Sequence, residues 1–292
     1  YGLGNLQVKC EVCSRYRARQ ESYDEPLSCF DWPTGVNKLK MQGESTMSGK
    51  RNQQKVVENR WEKKAETGRV VNEKHAAKEV KPPVQAKNEI QREFLAAMKE
   101  YDVVAFIAPA GCGKSFLTMS EVTDWLKKGL YDKVVLSRAV IPMGRSLGML
   151  PSTLQQKFEP YLMPLLEVIW NRYGKGFYEN CLHDGTLELL APEYARGRSI
   201  SDVMVIDESQ SLYPTELYTM ITRMQEGSKL FLLGDTAQSD IRGENGLQWL
   251  EKFVEENPAL SKHIKIIKAD SDHIVRGGLC KAMVKAKEKE NK

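Results

Sequence analysis

One short segment combines glycines, a lysine and a hydroxyl group in an order that suits phosphate binding. Gly111 and Gly113 allow backbone N–H groups to turn toward phosphate oxygens, and the positive end of the helix predicted after them faces the same anion. Lys114 would reach the β- and γ-phosphates, and Ser115 would ligate Mg²⁺. The segment therefore predicts a Walker A loop for ATP. The residues expected to contact the nucleotide are Pro109, Ala110, Gly111, Cys112, Gly113, Lys114, Ser115 and Phe116.

A second apolar run, Val203–Asp207, ends in a carboxylate and is followed directly by Glu208. Asp207 is suited to the Mg²⁺ shell, as Walker B aspartates are, and Glu208 to orienting and deprotonating an attacking water. Many strands end in an acid, so this pattern is weak alone and gains weight because it follows a Walker A loop. We therefore predict Asp207 as a metal ligand and Glu208 as a catalytic base.

A third apolar run ends in Gly234 and Asp235, with Gln238 three positions after the acid. Gln238 can sense the γ-phosphate by hydrogen bonding, and the alternative is a simple turn, which Gly and Asp favour. Hydrolysis also needs a positive charge near the γ-phosphate, usually from an arginine. Arg138, at a predicted strand end, and Arg276 are the candidates, and each is equally compatible with a surface arginine.

Apolar runs of strand length alternate with helical patterns from residue 88 onward. The predicted strands are Val103–Ala108, Lys133–Ser137, Leu187–Leu190, Val203–Asp207, Lys229–Gly234 and Ile264–Ile267. The predicted helices are Asn88–Lys99, Lys114–Lys128, Thr153–Tyr173, Pro214–Met224 and Leu247–Glu256. Continuous apolar strands separated by helices are typical of a parallel sheet covered on both faces. We therefore predict an α/β fold, a three-layer RecA-like P-loop NTPase domain whose ligands bind at the carboxyl ends of the strands.

Residues 1–85 differ in composition and are predicted to be an extension that precedes a domain at 86–292. Residues 1–88 contain 17 Lys/Arg against 11 Asp/Glu, so the positive surplus of the chain lies there. Such a segment attracts nucleic acid by neutralising phosphates, or it is a solvated extension that is partly helical or disordered. Pro82 and Pro83 mark its end.

The cysteines and the hydropathy of the chain bear on metal binding, disulfide bonds and membrane insertion. Cys10, Cys13 and Cys29 hint at a zinc knuckle, but a structural zinc site normally has four ligands, so free thiols are favoured. The other cysteines are scattered singly, which fits a reducing compartment. No apolar run approaches the roughly 18 residues of a membrane helix, and the chain lacks a signal-peptide pattern at its start. The expected location is the cytoplasm.

Several blocks resemble the PhoH-like family of P-loop ATPases, which is related to superfamily-one helicases. The resemblance covers residues 85–285, and its middle blocks are specific because generic P-loop proteins lack them. The matching blocks are Ala108–Ser115, Ser137–Val140, Gly148–Pro151, Lys157–Pro164, Ala195–Ser199, Asp207–Gln210 and Gly234–Gln238.

The resemblance implies ATP binding and Mg²⁺-dependent hydrolysis, with RNA or single-stranded DNA as a partner. It implies that Gln91 contacts adenine, and it favours Arg276 as the arginine finger. Because residues 88–292 have room for one RecA-like lobe only, we expect a homo-oligomer, with a ring as one form, in which a neighbour supplies an arginine. The arginines that would meet a nucleic-acid backbone are Arg138, Arg145, Arg196 and Arg198.

Helicase-like coupling of ATP hydrolysis to nucleic-acid remodelling is the leading hypothesis, and two other classes stay open. A P-loop kinase of small molecules is one, although the water-activating Glu208 with Gln210 and Gln238 argues for hydrolysis. A nucleotide-gated binding switch with little turnover is the other. Phosphate release without an added acceptor would distinguish an ATPase from a kinase. Turnover of ATP by the unaltered protein would distinguish an ATPase from a binding switch.

Overall fold

This computed structural model describes residues 81–139, 154–195 and 197–290, without the side chains of residues 154–157 and Glu193. The described ranges belong to one compact unit. Several sequence predictions therefore lie outside the described residues: the zinc-knuckle hypothesis for Cys10, Cys13 and Cys29, the extension before residue 81, and the phosphate contacts of Arg145 and Arg196.

The described chain alternates strands and helices. The strands are β1 (Val103–Ile107), β2 (Val134–Arg138), β3 (Leu187–Leu189), β4 (Val203–Asp207), β5 (Lys229–Gly234) and β6 (Ile264–Lys268). The helices are α1 (Glu89–Glu100), α2 (Lys114–Lys127), α3 (Leu154–Tyr173), α4 (Lys175–His183), α5 (Pro214–Ile221), α6 (Gly246–Glu256) and α7 (Gly278–Glu290).

The strands form one six-stranded sheet in the order β3-β2-β4-β5-β1-β6, and every neighbouring pair is parallel. The central strands β1, β4 and β5 are buried along their whole length, which explains their unbroken apolar sequences. The prediction of a parallel α/β sheet is confirmed. Because all strands run the same way, the residues that follow β1, β2, β4 and β5 meet at one edge of the sheet.

Helices cover both faces of the sheet and enclose two hydrophobic cores. On one face, α1, α2, α3 and α4 pack large side chains against the sheet, among them Phe94, Trp125 and Leu162. On the other face, α5 and α6 contribute Leu217 and Leu250. Complete burial of such a side chain is worth about 1.5–3 kcal/mol relative to exposure. Both cores therefore stabilise the three-layer architecture that the alternating pattern predicts.

A buried ion pair fastens α2 to α3. Asp124 is almost inaccessible, and it accepts hydrogen bonds from Arg172 at 2.7 and 2.6 Å and from the Tyr173 hydroxyl at 2.7 Å. Arg172 also donates to the carbonyl of Pro82 over 2.7 Å, and Val84 packs against the first core. The folded part of the chain therefore includes residues before the boundary predicted at residue 86.

Two helices were not predicted from the sequence. Helix α4 begins directly after Gly174, whose φ of 84° ends α3 and turns the chain. Helix α7 is rich in lysine, and none of its residues is fully buried, so its apolar pattern is weak. In the ranges described, no helix is both long enough and apolar enough to cross a membrane.

Candidate nucleotide site

A cleft of about 620 Å³ lies at the sheet edge where the motif-bearing loops meet, within the usual size range of ligand pockets. Most of the predicted site residues line it. The lining includes Gln91, Ala110, Gly111, Gly113, Lys114, Ser115, Phe116, Arg138, Asp207, Glu208, Asp235, Gln238 and Arg276. Residues from α3 close one side of the same cleft: Pro164, Glu167 and Val168.

The loop between β1 and α2 depends on two glycines. Gly111 and Gly113 have φ values of 90° and 89°, a left-handed conformation that other residues adopt at a cost. A Cβ on Gly111 would lie 2.9 Å from the Cβ of Arg276, and one on Gly113 would lie 3.1 Å from the Gln91 amide nitrogen. Gly113 also precedes the first residue of α2. The loop is therefore shaped by backbone freedom and by close packing on two sides.

Lys114 lies partly buried at the start of α2. Its ammonium group donates to the carbonyls of Ala108 and Pro109, the latter over 3.2 Å. Burial lowers the pKa of Lys114, and the negative charge of Asp235 opposes this shift most strongly. Ser115 and the exposed ring of Phe116 follow in the first turn of the helix and line the cleft. A cation, a hydroxyl group and an aromatic ring thus line one cleft.

Asp207 ends β4 and is buried beside the cleft. Burial raises its pKa to about 6, the adjacent charge of Glu208 adds to the increase, and Arg138 opposes it. The carboxylate is therefore mostly ionised at neutral pH, as a magnesium ligand must be. The parallel register pairs Arg138 of β2 with Asp207, and the guanidinium lies 3.6 Å from the Asp207 carboxylate.

Glu208 has the only positive φ of any non-glycine residue in the described ranges, at 52°. Its two carboxylate oxygens are held by different partners: Arg138 donates to one over 3.1 Å and Gln210 to the other over 2.6 Å. Gln210 is itself buried, and its amide oxygen accepts from the backbone N–H of Asp235 over 3.0 Å. Through Gln210, the end of β4 is bonded to the end of β5.

Gln238 lies in a short 3₁₀ turn after β5. Its side-chain amide donates to Asp235 over 2.6 Å, and Asp235 also caps the turn by accepting from the Ala237 N–H. Gln238 is exposed on the cleft side, so its amide is placed for contact with a ligand. The segment is therefore a turn that also lines the cleft, and the contact of Gln238 with a γ-phosphate stays a prediction.

Gln91 is buried against the glycine loop rather than exposed on α1. Its amide nitrogen donates to the Cys112 carbonyl over 2.9 Å, and its amide oxygen accepts from the Lys87 N–H over 2.7 Å. Both ends of the amide are therefore bonded to the backbone, and adenine would have to replace one of these partners. The structure shows Gln91 supporting the loop, and its contact with adenine stays a prediction.

The segment before α7 covers the outer side of the loop. The Val275 N–H donates to the Gly111 carbonyl over 3.1 Å, and the Cys280 thiol lies 3.7 Å from the Ala110 carbonyl. Arg276 lies between them with its side chain exposed at the cleft. Cys112 is buried below the loop, and burial raises its pKa to about 11, so its thiol stays protonated at neutral pH.

The arginines predicted to meet nucleic acid differ in their surroundings. Arg138 faces Asp207 and Glu208 inside the cleft, where its guanidinium is committed to carboxylates. Arg198 pairs with Glu188 of β3 and does not line the cleft. Arg138 thus lies in the cleft, because the register of β2 and β4 sets it beside two acids, and this position suits its other predicted role as a positive charge near the γ-phosphate.

Sequence reasoning missed two contributions to the site. The sequence counts Gln210 among the residues that favour hydrolysis, but it does not predict that Gln210 connects Glu208 to Asp235. The signal was present, since a polar residue two positions after Glu208 can fold back on it. Cys280 packs on the glycine loop from far along the chain. No pattern in the sequence around Cys280 predicts this contact.

The residues of the cleft fit a magnesium-bound nucleoside triphosphate. The loop is a cradle in which a Cβ at Gly111 would collide with its neighbours, and its first helical residues offer N–H groups, an ammonium group and a hydroxyl group. One carboxylate and one hydroxyl group, Asp207 and Ser115, suit a metal ion that phosphates and water also ligate.

The parallel three-layer fold and this loop–carboxylate cleft define a P-loop NTPase-type protein. Residues 83–288 match the family of PhoH-like proteins, which is most of the chain. The protein belongs to this PhoH-like family.

Relatives and a solved structure extend the comparison. The PhoH-like protein of Bacillus subtilis (strain 168) is 35% identical over 209 residues, covering 69% of this chain and 63% of that protein. Protein PhoH of Escherichia coli (strain K12) is 30% identical over 210 residues, covering 70% and 58%. The chain thus spans less than two thirds of each relative's length. The large terminase from a thermophilic bacteriophage overlaps 70% of this chain and 50% of its own, with a TM-score of 0.44 and 11% identity.

Proposed function

We propose that the protein binds and hydrolyses ATP with Mg²⁺ and couples this reaction to RNA or single-stranded DNA. The observation that carries the ATPase proposal is the meeting of Lys114 and Ser115 with Asp207 and Glu208 in one cleft. Phosphate-binding groups and a water-activating acid are what hydrolysis of a phosphoanhydride needs. Family membership agrees with this class of chemistry.

Bound magnesium ATP would supply the reactive γ-phosphate and the metal that neutralises its developing charge. Within the chain, the glycine loop and Lys114 bind the phosphates, and Ser115 and Asp207 hold the metal. Glu208 orients a water and accepts its proton. Gln238 and Arg276 line the cleft from β5 and from the segment before α7, where they add an amide and a positive charge.

Phosphate release measured with ATP and Mg²⁺, without any other acceptor, tests the proposal. Lys114→Ala should abolish nucleotide binding, whereas Glu208→Gln should bind ATP and release no phosphate. Lys262→Ala removes an exposed lysine outside the cleft and should behave as the unaltered protein. Hydrolysis by Lys114→Ala at the unaltered rate would refute the proposed site.

The same assay separates the two other classes. A small-molecule kinase would release little phosphate until an acceptor is added. A nucleotide-gated switch would bind ATP tightly and turn it over no faster than Glu208→Gln does. The paired contacts of Glu208 with Arg138 and Gln210 favour hydrolysis, because they hold a carboxylate at the cleft in a strained backbone conformation.

The nucleic-acid part of the proposal rests on the resemblance to a family related to superfamily-one helicases and on the basic surplus in residues 1–88. Arg145, Arg196 and Arg198 are the remaining candidates for backbone contacts. Phosphate release should increase when RNA or single-stranded DNA is added, and the increase should weaken at high salt. Rates that neither polymer alters would leave an ATPase without this coupling.

We also propose that copies of the chain assemble into a homo-oligomer, with a ring as one form. The described ranges contain one sheet with one set of nucleotide motifs, and in this proposal a second copy of the chain supplies the partner lobe. Because Arg276 lines the cleft of its own chain, we propose that it acts there, in addition to the arginine that a neighbour is expected to supply. Size-exclusion chromatography with light scattering, in ATP and Mg²⁺, tests assembly, and a fully active monomer contradicts it.

A further inference from the structure

Arg138 makes three contacts that connect separate parts of the cleft. Its guanidinium donates to the Tyr161 carbonyl of α3 over 2.9 Å and to Glu208 over 3.1 Å, and it lies 3.6 Å from Asp207. The Arg138 side chain is 23% exposed and lines the same cleft as Lys114. The residue is thus bonded to the predicted catalytic base and to a helix wall at once.

These contacts are those of a residue that must change partners when the cleft binds its ligand. A water placed for attack competes with Arg138 for the Glu208 carboxylate. A divalent metal at Asp207 repels the guanidinium that lies beside it. A planar guanidinium binds phosphate oxygens in the same two-pronged manner as carboxylates, and it stays positively charged at every accessible pH.

We propose that Arg138 senses the γ-phosphate, beside the contact predicted for Gln238. It exchanges its ion pair with Asp207 and its hydrogen bond to Glu208 for oxygens of the γ-phosphate, which frees Glu208 to act on water. Its bond to the Tyr161 carbonyl transmits the exchange to α3, because the same guanidinium is shared between the helix and the phosphate. This inference rests on the proposed function. Of the two roles that the sequence left open for Arg138, it favours the one at the γ-phosphate over nucleic-acid contact, and it adds the coupling to Glu208 and α3.

Equilibrium binding of two nucleotides, AMP-PNP and ADP, each with Mg²⁺, tests the proposal without turnover. Arg138→Ala should lose about tenfold to hundredfold of its affinity for AMP-PNP, the effect of removing a charge-assisted hydrogen bond. Its affinity for ADP, which has no γ-phosphate, should change by less than about twofold. Arg223→Ala, the same change at an exposed arginine outside the cleft, should keep the unaltered ratio of affinities.

Arg138→Lys keeps the positive charge but loses the two-pronged geometry, so its preference for AMP-PNP should fall by an intermediate factor. If Arg138→Ala does not fold, this variant alone decides the matter. The proposal would be overturned if the affinities for AMP-PNP and ADP changed by the same factor, so that their ratio stayed unchanged in every variant that folds. Failure of the unaltered protein to bind either nucleotide would instead refute the proposed function.

Hydrogen exchange of α3 supplies a second measurement. AMP-PNP should alter exchange of the peptide around residues 158–168 in the unaltered protein, and ADP should not. The difference between the nucleotides should vanish in Arg138→Ala. A difference that persists in this variant would show that α3 senses the γ-phosphate by another route and would refute the transmission through Tyr161.

Discussion

Replacement of Gln210 by Ala tests how the candidate base is held in place. The buried Gln210 amide donates to Glu208 over 2.6 Å and accepts from the Asp235 N–H over 3.0 Å. Glu208 meanwhile has φ 52°, a conformation that costs a non-glycine residue about 1–2 kcal/mol. The side-chain contacts of Glu208 oppose this cost, so their loss should release both the carboxylate and the backbone.

The magnitude follows from the bonds that are removed. Loss of one hydrogen bond to a charged group and one between neutral groups predicts a free energy of unfolding lower by about 2–4 kcal/mol. ATP hydrolysis should fall about tenfold to hundredfold, since a displaced base loses most of its benefit. The affinity for ATP should stay unchanged, because Gln210 does not line the cleft.

Urea unfolding, steady-state phosphate release and nucleotide titration together measure these effects. Gln225→Ala makes the same chemical change at an exposed position and should alter none of the three. Gly234→Ala disturbs the same amide by crowding, because its Cβ would lie 2.7 Å from the Gln210 amide oxygen and 2.5 Å from Leu247. It should reduce stability by about 1–3 kcal/mol through overpacking.

An unchanged rate in Gln210→Ala, with stability reduced as expected, would show that Gln210 supports the fold and does not position Glu208. Parallel losses of ATP affinity and rate would show that the damage reaches the phosphate loop. Either result refutes the reasoning that connects the strained backbone to catalysis.

Two further predictions concern buried acids. Asp207→Asn should raise the free energy of unfolding at about pH 7.5 by up to about 3 kcal/mol, because the folded-state pKa, raised to about 6, disfavours the ionised form. Most of the gain should disappear by about pH 4, because the carboxyl is then protonated in the folded state and close to half protonated in the unfolded state. Urea titrations at both pH values measure the gain, and an equal gain at both would contradict this prediction. Asp124→Ala should lower stability by about 3–5 kcal/mol, because it leaves the Arg172 guanidinium unpaired between α2 and α3. Tyr173→Phe removes one bond to the same carboxylate and should cost about 1 kcal/mol, and equal shifts in melting temperature for both variants would contradict the ion-pair argument.

The sheet was predictable from the sequence because its strands are buried on both faces. Val103–Ile107 and Val203–Asp207 are short, unbroken apolar runs between helical patterns, and chain direction follows from the helical crossovers. The glycine loop was predictable for a similar reason, since Gly111 and Gly113 must supply a left-handed backbone immediately before a helix. Both the strands and the glycine loop are determined by residues that are close together in the sequence.

The contacts within the cleft were less predictable because they join distant segments. The pairing of Arg138 with Asp207 follows from β2 lying beside β4. The apolar pattern of a strand does not indicate which strand will be its neighbour in the sheet. The burial of Gln91 depends on the packing of α1 under the glycine loop. Helix α7 has no buried face that would give its sequence a clear amphipathic period.

The bond from Arg172 to the Pro82 carbonyl has a consequence for how the catalytic part can be isolated. A fragment that starts at residue 86 would lose this acceptor and the apolar contact of Val84, and the guanidinium that holds Asp124 would lose one of its partners. A fragment that starts at residue 81 retains both contacts. Expression of the shorter piece is therefore expected to give lower yields and a lower melting temperature, even though it includes every nucleotide motif.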